Sequence, residues 1–447
     1  MNKKIPDIRE TINISLMVLF FVLPIFVQAQ EKWTLKQCIH YAVKNNIDLN
    51  IQKNRVKQQK INFHESKANL FPDLNLGSDW NVNYGRNIDA TTNDITFHQT
   101  MSNSYWLSSS VDIFQGFVKQ NTIRYQKYLL LAYKEENKKL ENQLIFKIIT
   151  SFYTALYSEG LENVAKNQEQ LSKNLYERMM RLVEVGKKSP LLVQELKSQW
   201  ATDQLNYTIA KNRKEQEFLS LKKLLRLTSK SDFEIDSLEG SHFVLMSELD
   251  RDSIFFEALS VLPEMKQQKF LLNAYEKNLA VAKGRVSPRL YMSAGYNTGF
   301  YDGAEANYGE QILNNQSQQI RMGVLIPVFN NASTHSNIKR KKIDLDNQTL
   351  LLEKEKEQIY ATIQNMTDNL KGAEKEYYSS LELLDFANLS FKNISTKMEK
   401  GLANATDFET AKQRLSAAKA AKLKAKLSYI MYQQILEFYI SGSWNHL

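Results

Sequence analysis

Two stretches of this chain, 117–185 and 334–400, carry an apolar seam at helical spacing without a convincing break. A helix of about 70 residues is about 100 Å long at ~1.5 Å per residue, several times the mean helix of a globular domain. No compact domain can bury such a rod. In the second stretch Ile359, Ile363, Met366, Leu370, Ala373, Tyr377, Leu381 and Leu384 recur mostly at alternating steps of four and three, and Phe391, Ile394 and Met398 continue the line. That is coiled-coil spacing. Leu140, Leu144, Ile148, Phe152 and Ala155 form a looser version in the first stretch. With only 15 Gly and 7 Pro in 447 residues, the chain has too few turn formers for an all-β or loop-rich α/β protein, and a mainly α fold is expected.

The two rods belong to a repeated plan. At an offset of about 215 residues, the segment 68–74 matches 284–290, Ile113-Phe114 matches Val328-Phe329, and Gly186 matches Gly401. The repeats span about 33–227 and 249–440, with 228–248 as a connector and 441–447 as a tail. Each runs helix, strand, loop, strand, long helix, tight turn, helix. The first helices, 34–69 and 249–286, are expected to end before Pro72 and Pro288, because proline disfavours helical backbone in the residue ahead of it. At the turns, Gly186 suits a left-handed C-cap, Ser189 an N-cap and Pro190 the first helical position, while Gly401 is followed by Asn404 as N-cap with Asp407 three residues on.

Between the helices the period drops to two. Leu74, Leu76, Trp80, Val82 and Tyr84 alternate with polar or small residues, and Leu290, Met292, Ala294, Tyr296 and Phe300 repeat the pattern. Return strands put Tyr105, Leu107, Val111 and Ile113 on one face in the first half, and Ile320, Met322, Val324, Ile326 and Val328 in the second. The expected strands, about 73–85, 104–114, 289–301 and 318–329, have the length of tilted transmembrane β-strands. Trp80, Tyr84, Tyr296 and Phe300 gather toward the loops 86–103 and 302–317 as an interfacial girdle would. A soluble hairpin is the alternative, but no nearby segment offers a face to cover these strands. Four strands cannot close a barrel, since the smallest membrane barrels use about eight. Closure needs other copies, and three copies of four strands make a twelve-stranded barrel over a shaft of helices.

With these features together, the chain resembles the TolC family of outer-membrane efflux channels over essentially the whole length after the leader. The most specific segment is 401–411, Gly-Leu-Ala-Asn-Ala-Thr-Asp-Phe-Glu-Thr-Ala, similar to the family's tip of the second hairpin. The resemblance implies a homotrimer with an outer-membrane β-barrel and a periplasmic α-barrel, docked to a periplasmic adaptor and an inner-membrane transporter. It also implies an acidic ring at the periplasmic entrance. Asp407 matches its first acid; the second position holds Thr410, and Glu409 lies one residue earlier. The equivalent of Asp407 in the first half is Leu192, so the ring would hold three acids rather than six. Asp407 also favours a helix N-terminus electrostatically, and the two roles are compatible.

Lys3, Lys4 and Arg9 precede an apolar run at 16–27, and Val27-Gln28-Ala29 offers small residues for cleavage, so 1–29 reads as a signal peptide. The run is shorter than the roughly 20 residues of a membrane span, and the absence of a cysteine directly after Ala29 argues against a lipoprotein there. Removing the leader changes the net charge from +9 to +8, spread without a basic tract, and nucleic acid is not indicated. A single cysteine, Cys38, excludes an internal disulfide framework and thiolate metal clusters. The six histidines show no metal spacing, and the chain has no GxGxxG, Walker A or GxSxG motif. Neither an enzyme nor a cofactor is expected. The remaining alternatives are a secreted or periplasmic coiled-coil scaffold without a membrane barrel, and a plain porin, which would devote far more of its chain to strands.

Overall fold

The computed structural model describes residues 32–88, 93–97, 99–228, 233–236 and 250–444. The expected signal peptide, most of the expected connector and the end of the expected tail lie outside them. The first part runs α1 (Leu35–Asn45), α2 (Ile47–Ala68), β1 (Asn75–Asn83), the short hairpin β2 (Asn87–Ile88) and β3 (Ile95–Thr96), β4 (Thr100–Gln115), α3 (Val118–Glu184) and α4 (Pro190–Leu225). The second runs α5 (Arg251–Val261), α6 (Pro263–Gly284), β5 (Arg289–Tyr301), α7 (Tyr308–Asn314), β6 (Ser317–Leu325), α8 (Ser333–Glu399) and α9 (Ala405–Ser441). The molecule is mainly helical with one small membrane-type sheet.

The long helices α3 and α8 each have 67 residues, about 100 Å of rod. They double back at their tips to pair with α4 and α9. Their seams are buried: Ile148, Phe152 and Ala155 in α3, and Ile359, Ile363, Leu370 and Ala373 in α8, are all at most 5% exposed. Halfway along the shaft the shorter helices thicken it. Leu35, Cys38 and Ala42 of α1 and Leu221 and Leu225 of α4 pack on α3, while Ile254 and Ala258 of α5 and Met265 of α6 pack on α8. Residues of α9 join both clusters, Leu427, Ile430 and Ile435 in one and Tyr429, Leu436 and Phe438 in the other.

Each expected first helix is in fact broken once. Asn46 takes an extended conformation (φ −69°, ψ 130°), ends α1, and caps α2 by accepting from Leu49 N at 3.0 Å. Leu262 is extended in the same way (φ −65°, ψ 133°) because Pro263 follows it. The rule that places an end before Pro72 applies equally at Pro263, inside a stretch read as continuous helix.

The four long strands form one antiparallel sheet in the order β1-β4-β5-β6. The last strand stops at Leu325, short of the expected 329. Its final partner is Arg289, which follows Pro288, and Pro327 has no N–H to extend the ladder. Where the sheet meets the shaft, Gly116 and Gly284 touch backbone to backbone. A Cβ built on either would lie 2.3–2.4 Å from the other's carbonyl oxygen, so the crossing admits only glycine.

Candidate functional site

The two hairpin tips are built alike. Gly186 (φ +73°) and Gly401 (φ +75°) both sit in the left-handed region. Lys187 N donates to Leu182 O and Leu402 N to Lys397 O, both at 2.8 Å, the long bond of a Schellman C-cap. Ser189 Oγ accepts from Leu191 N at 3.3 Å, and Pro190 opens α4. Asn404 Oδ1 accepts from Asp407 N at 2.7 Å. The reciprocal half of a capping box is absent, since the bond uses only the Asp407 backbone, and the carboxylate stays free and exposed. Thr410 is exposed on the same helix and lines a cleft of about 350 Å³ between α4 and α9. Around the turns Val185, Leu191 and Leu402 are 64–74% exposed, an apolar rim on the tips.

Glu409 lines the same cleft but is held by an ion pair. Its Oε2 lies 2.8 Å from Lys412 Nζ, and that ammonium is buried, with 2% of its side chain accessible. Lys412 Nζ also donates to Ser172 Oγ of α3 and to Asp203 Oδ2 of α4, while Ser172 Oγ donates to Asp203. All three ammonium protons therefore have acceptors. The cluster joins α9 of the second repeat to both helices of the first hairpin, above the apolar contact of Met179, Leu196, Met398 and Phe408. Nothing in the motif reading singled out Lys412. Its signal is positional: a lysine on the buried stripe of Phe408, Ala411 and Leu415.

The register of the sheet sorts its residues into two faces, because directly opposed residues of antiparallel strands point the same way. Leu76 opposes Leu107, which opposes Tyr296; Val111 opposes Met292, which opposes Met322; Ala294 opposes Ile320. One face is thus apolar across all four strands. The other carries Asp79, Asn81, Ser102, Ser104, Asp112, Ser293, Asn297 and Arg321, with Trp106 Nε1 donating to Asp79 at 3.1 Å and Arg289 Nε to Asp112 at 2.6 Å. Ile113 has no partner of its own in the ladder. A bulge lies between Asp112 and Phe114, and Phe114 instead opposes Leu290. Of the expected girdle, Trp80 and Tyr84 are exposed, Tyr296 is half-buried, and Phe300 lies under the ring of Tyr308, centroids 5.2 Å apart. Sequence reasoning missed a second set of aromatics at the shaft end: Phe71, Phe114, Phe117 and Phe329 are all 42–80% exposed.

Among the described residues there is no cluster of metal ligands, and no helix is long and apolar enough to cross a membrane. An apolar-faced open sheet on a long double hairpin is the architecture of an outer-membrane channel. The fold is shared with solved outer-membrane proteins. The CusC channel superposes with a TM-score of 0.78 at 14% identity over 92% of each chain. VceC of Vibrio cholerae gives 0.79 at 12% identity, over 92% of this chain and 97% of that one. MtrE of Neisseria gonorrhoeae, described in its open state, gives 0.75 at 14% identity, over 91% and 88%. No curated protein matches by sequence. The model of the family described as outer membrane efflux protein matches residues 38–225 and 256–441, and the chain belongs to that family. It is accordingly a transport channel of the outer membrane that extends into the periplasm, and not an enzyme.

Proposed function

We propose that three copies join edge to edge into a twelve-stranded barrel above a helical shaft. The resulting tunnel exports small molecules or proteins from the periplasmic side, docked to an adaptor and an inner-membrane pump. The observation that carries this reading is the sheet itself: β1 and β6 are its edges, and no helix of the shaft covers its apolar face, on which Leu76, Leu107, Ile320 and Met322 are exposed. An open edge in lipid leaves backbone groups unsatisfied, so the membrane form must be closed by further copies. The shaft supports the same assembly, since Ile343, Leu350, Phe386 and Leu389 of α8 and Leu205 and Ile209 of α4 remain 56–72% exposed in a single copy. Native mass measurement in detergent should give a trimer, and a species no larger than a dimer would overturn the reading.

The tips fit a docking role. Val185, Leu191 and Leu402 project beside two turns that present bare backbone, and nothing lies within 4 Å of a Cβ built on Gly186. Leu402→Asp should abolish export while leaving the conductance of the purified channel in planar bilayers unchanged. Within this assembly Asp407 rings the entrance, whereas Glu409 is tied to Lys412 of its own helix.

A further inference from the structure

The loop between β5 and β6 does not stand clear of the sheet. Its helix α7 folds back onto it. Thr298 Oγ1 donates to Ile312 O at 2.6 Å and Asn315 Nδ2 to Gly299 O at 2.8 Å. The Gln311 side chain accepts from Tyr301 N and donates to Tyr301 O, each at 3.0 Å, and is buried. The Tyr308 hydroxyl lies 2.8 Å from that of Tyr105, and its ring covers Phe300. Tyr105 opposes Thr298 and Asn103 opposes Phe300, in the rows that continue the apolar face. The helix therefore sits on the apolar side of the wall, at the loop end, outside any barrel whose lumen takes the polar side.

We propose that α7 lies in the headgroup layer of the outer leaflet and fixes where the membrane's outer boundary meets the protein. The proposal rests on the membrane-barrel reading above. The uncovered apolar face of β5 runs from Leu290 to Tyr296, about 20 Å along the strand at ~3.4 Å per residue. Without α7 it would continue through Thr298 to Phe300, about 13 Å further. Over that stretch α7 substitutes its own outer surface, where Glu310 and Asn314 are exposed beside Leu313, which is 69% exposed. Leu313 and the amphipathic Tyr308, 45% exposed, between polar side chains suit the boundary between acyl chains and headgroups rather than the hydrocarbon interior. The exposed hydroxyl pair of Tyr105 and Tyr308 gives the same depth, because hydrocarbon would leave its remaining hydrogen-bonding capacity unsatisfied whereas the headgroup layer would not. At the opposite end the sheet is bounded by Phe71, Phe114, Phe117 and Phe329, so both limits of the slab are marked.

The full-length protein already suits the test. Cys38 is 0% exposed and burial pushes its thiol up to about 12, so it stays unlabelled. Leu313→Cys, Met292→Cys and Glu305→Cys are each labelled with bimane and reconstituted in phosphatidylcholine vesicles. Quenching is then read with lipids brominated near the headgroup, with lipids brominated near the chain end, and with aqueous iodide. Met292→Cys should respond to the deep bromolipid, Glu305→Cys to iodide, and Leu313→Cys most strongly to the shallow bromolipid. Asn314→Cys repeats the reading should Leu313→Cys assemble poorly. Iodide quenching at Leu313 equal to that at Glu305, or a deep-lipid response equal to that at Met292, overturns the proposal while leaving the barrel intact. No lipid quenching at Met292 overturns the barrel reading and the proposal with it.

Discussion

Lys412 shows how much one side chain can bind together. Burying an ammonium is costly, and the cost is met here only because Ser172, Asp203 and Glu409 supply three acceptors. Lys412→Met should destabilise the protomer by about 3–5 kcal/mol, because it strands the Asp203 carboxylate. Adding Asp203→Leu should recover most of that loss. Denaturant unfolding followed by circular dichroism measures both. Asp407 behaves oppositely: its cap is made by its N–H, so Asp407→Asn should leave the tip folded and change only charge. In planar bilayers the variant should lose cation preference and block by di- and trivalent cations from the periplasmic side; unchanged selectivity with normal assembly would leave Asp407 as a helix-start residue. Block of the parent channel should be modest, since Thr410 supplies no second acid.

Among elements, the sheet makes the sharpest demand. A charge at Met292, in the middle of the apolar rows, should cost about 2–4 kcal/mol in the membrane, whereas Ser293→Arg on the polar face should be tolerated. Val82→Arg should cost less than Met292→Arg, because Val82 opposes Met101 near the loop end. Heat-stability of the assembled species on gels ranks the three. This two-faced pattern was open to reading because alternation is local: each strand states its own faces. The bulge that brings Phe114 into line with Leu290 was not legible, because a bulge is a mismatch in count between two strands 176 residues or more apart, visible only once Asp112 and Phe114 are paired with Tyr291 and Leu290. The coiled-coil seams were legible for the same local reason, and the break at Asn46 was not, since a single capping side chain competes with helical pattern on both sides. Lys412 needs Ser172 and Asp203, each more than 200 residues away in sequence. The helix α7 is only seven residues inside a polar loop, too short for periodicity to register.

At the scale of the whole molecule, the mid-shaft thickening should govern behaviour at high pH. Tyr439, stacked on Phe146 and close to Glu264, is held up from 10.0 to about 12 by burial, and burial raises Tyr153 as well. A raised folded value means the folded state holds the proton more tightly. The stabilisation is complete below pH 10 and disappears as pH rises toward 12. Unfolding midpoints should therefore fall across that window, in step with tyrosinate absorbance, and Tyr439→Phe should flatten the fall. The equal length of α3 and α8 has a consequence for descent. One starts just after Gly116 and the other just after the last strand, and their tips finish side by side in the contact of Met179, Leu196, Met398 and Phe408. A heptad inserted into one hairpin alone would leave its tip about 10 Å out of step with the other. Insertions and deletions that survive in a lineage of such chains must then come in matched pairs, one in each half, so the distance between outer membrane and hairpin tips is inherited as a single ruler written twice.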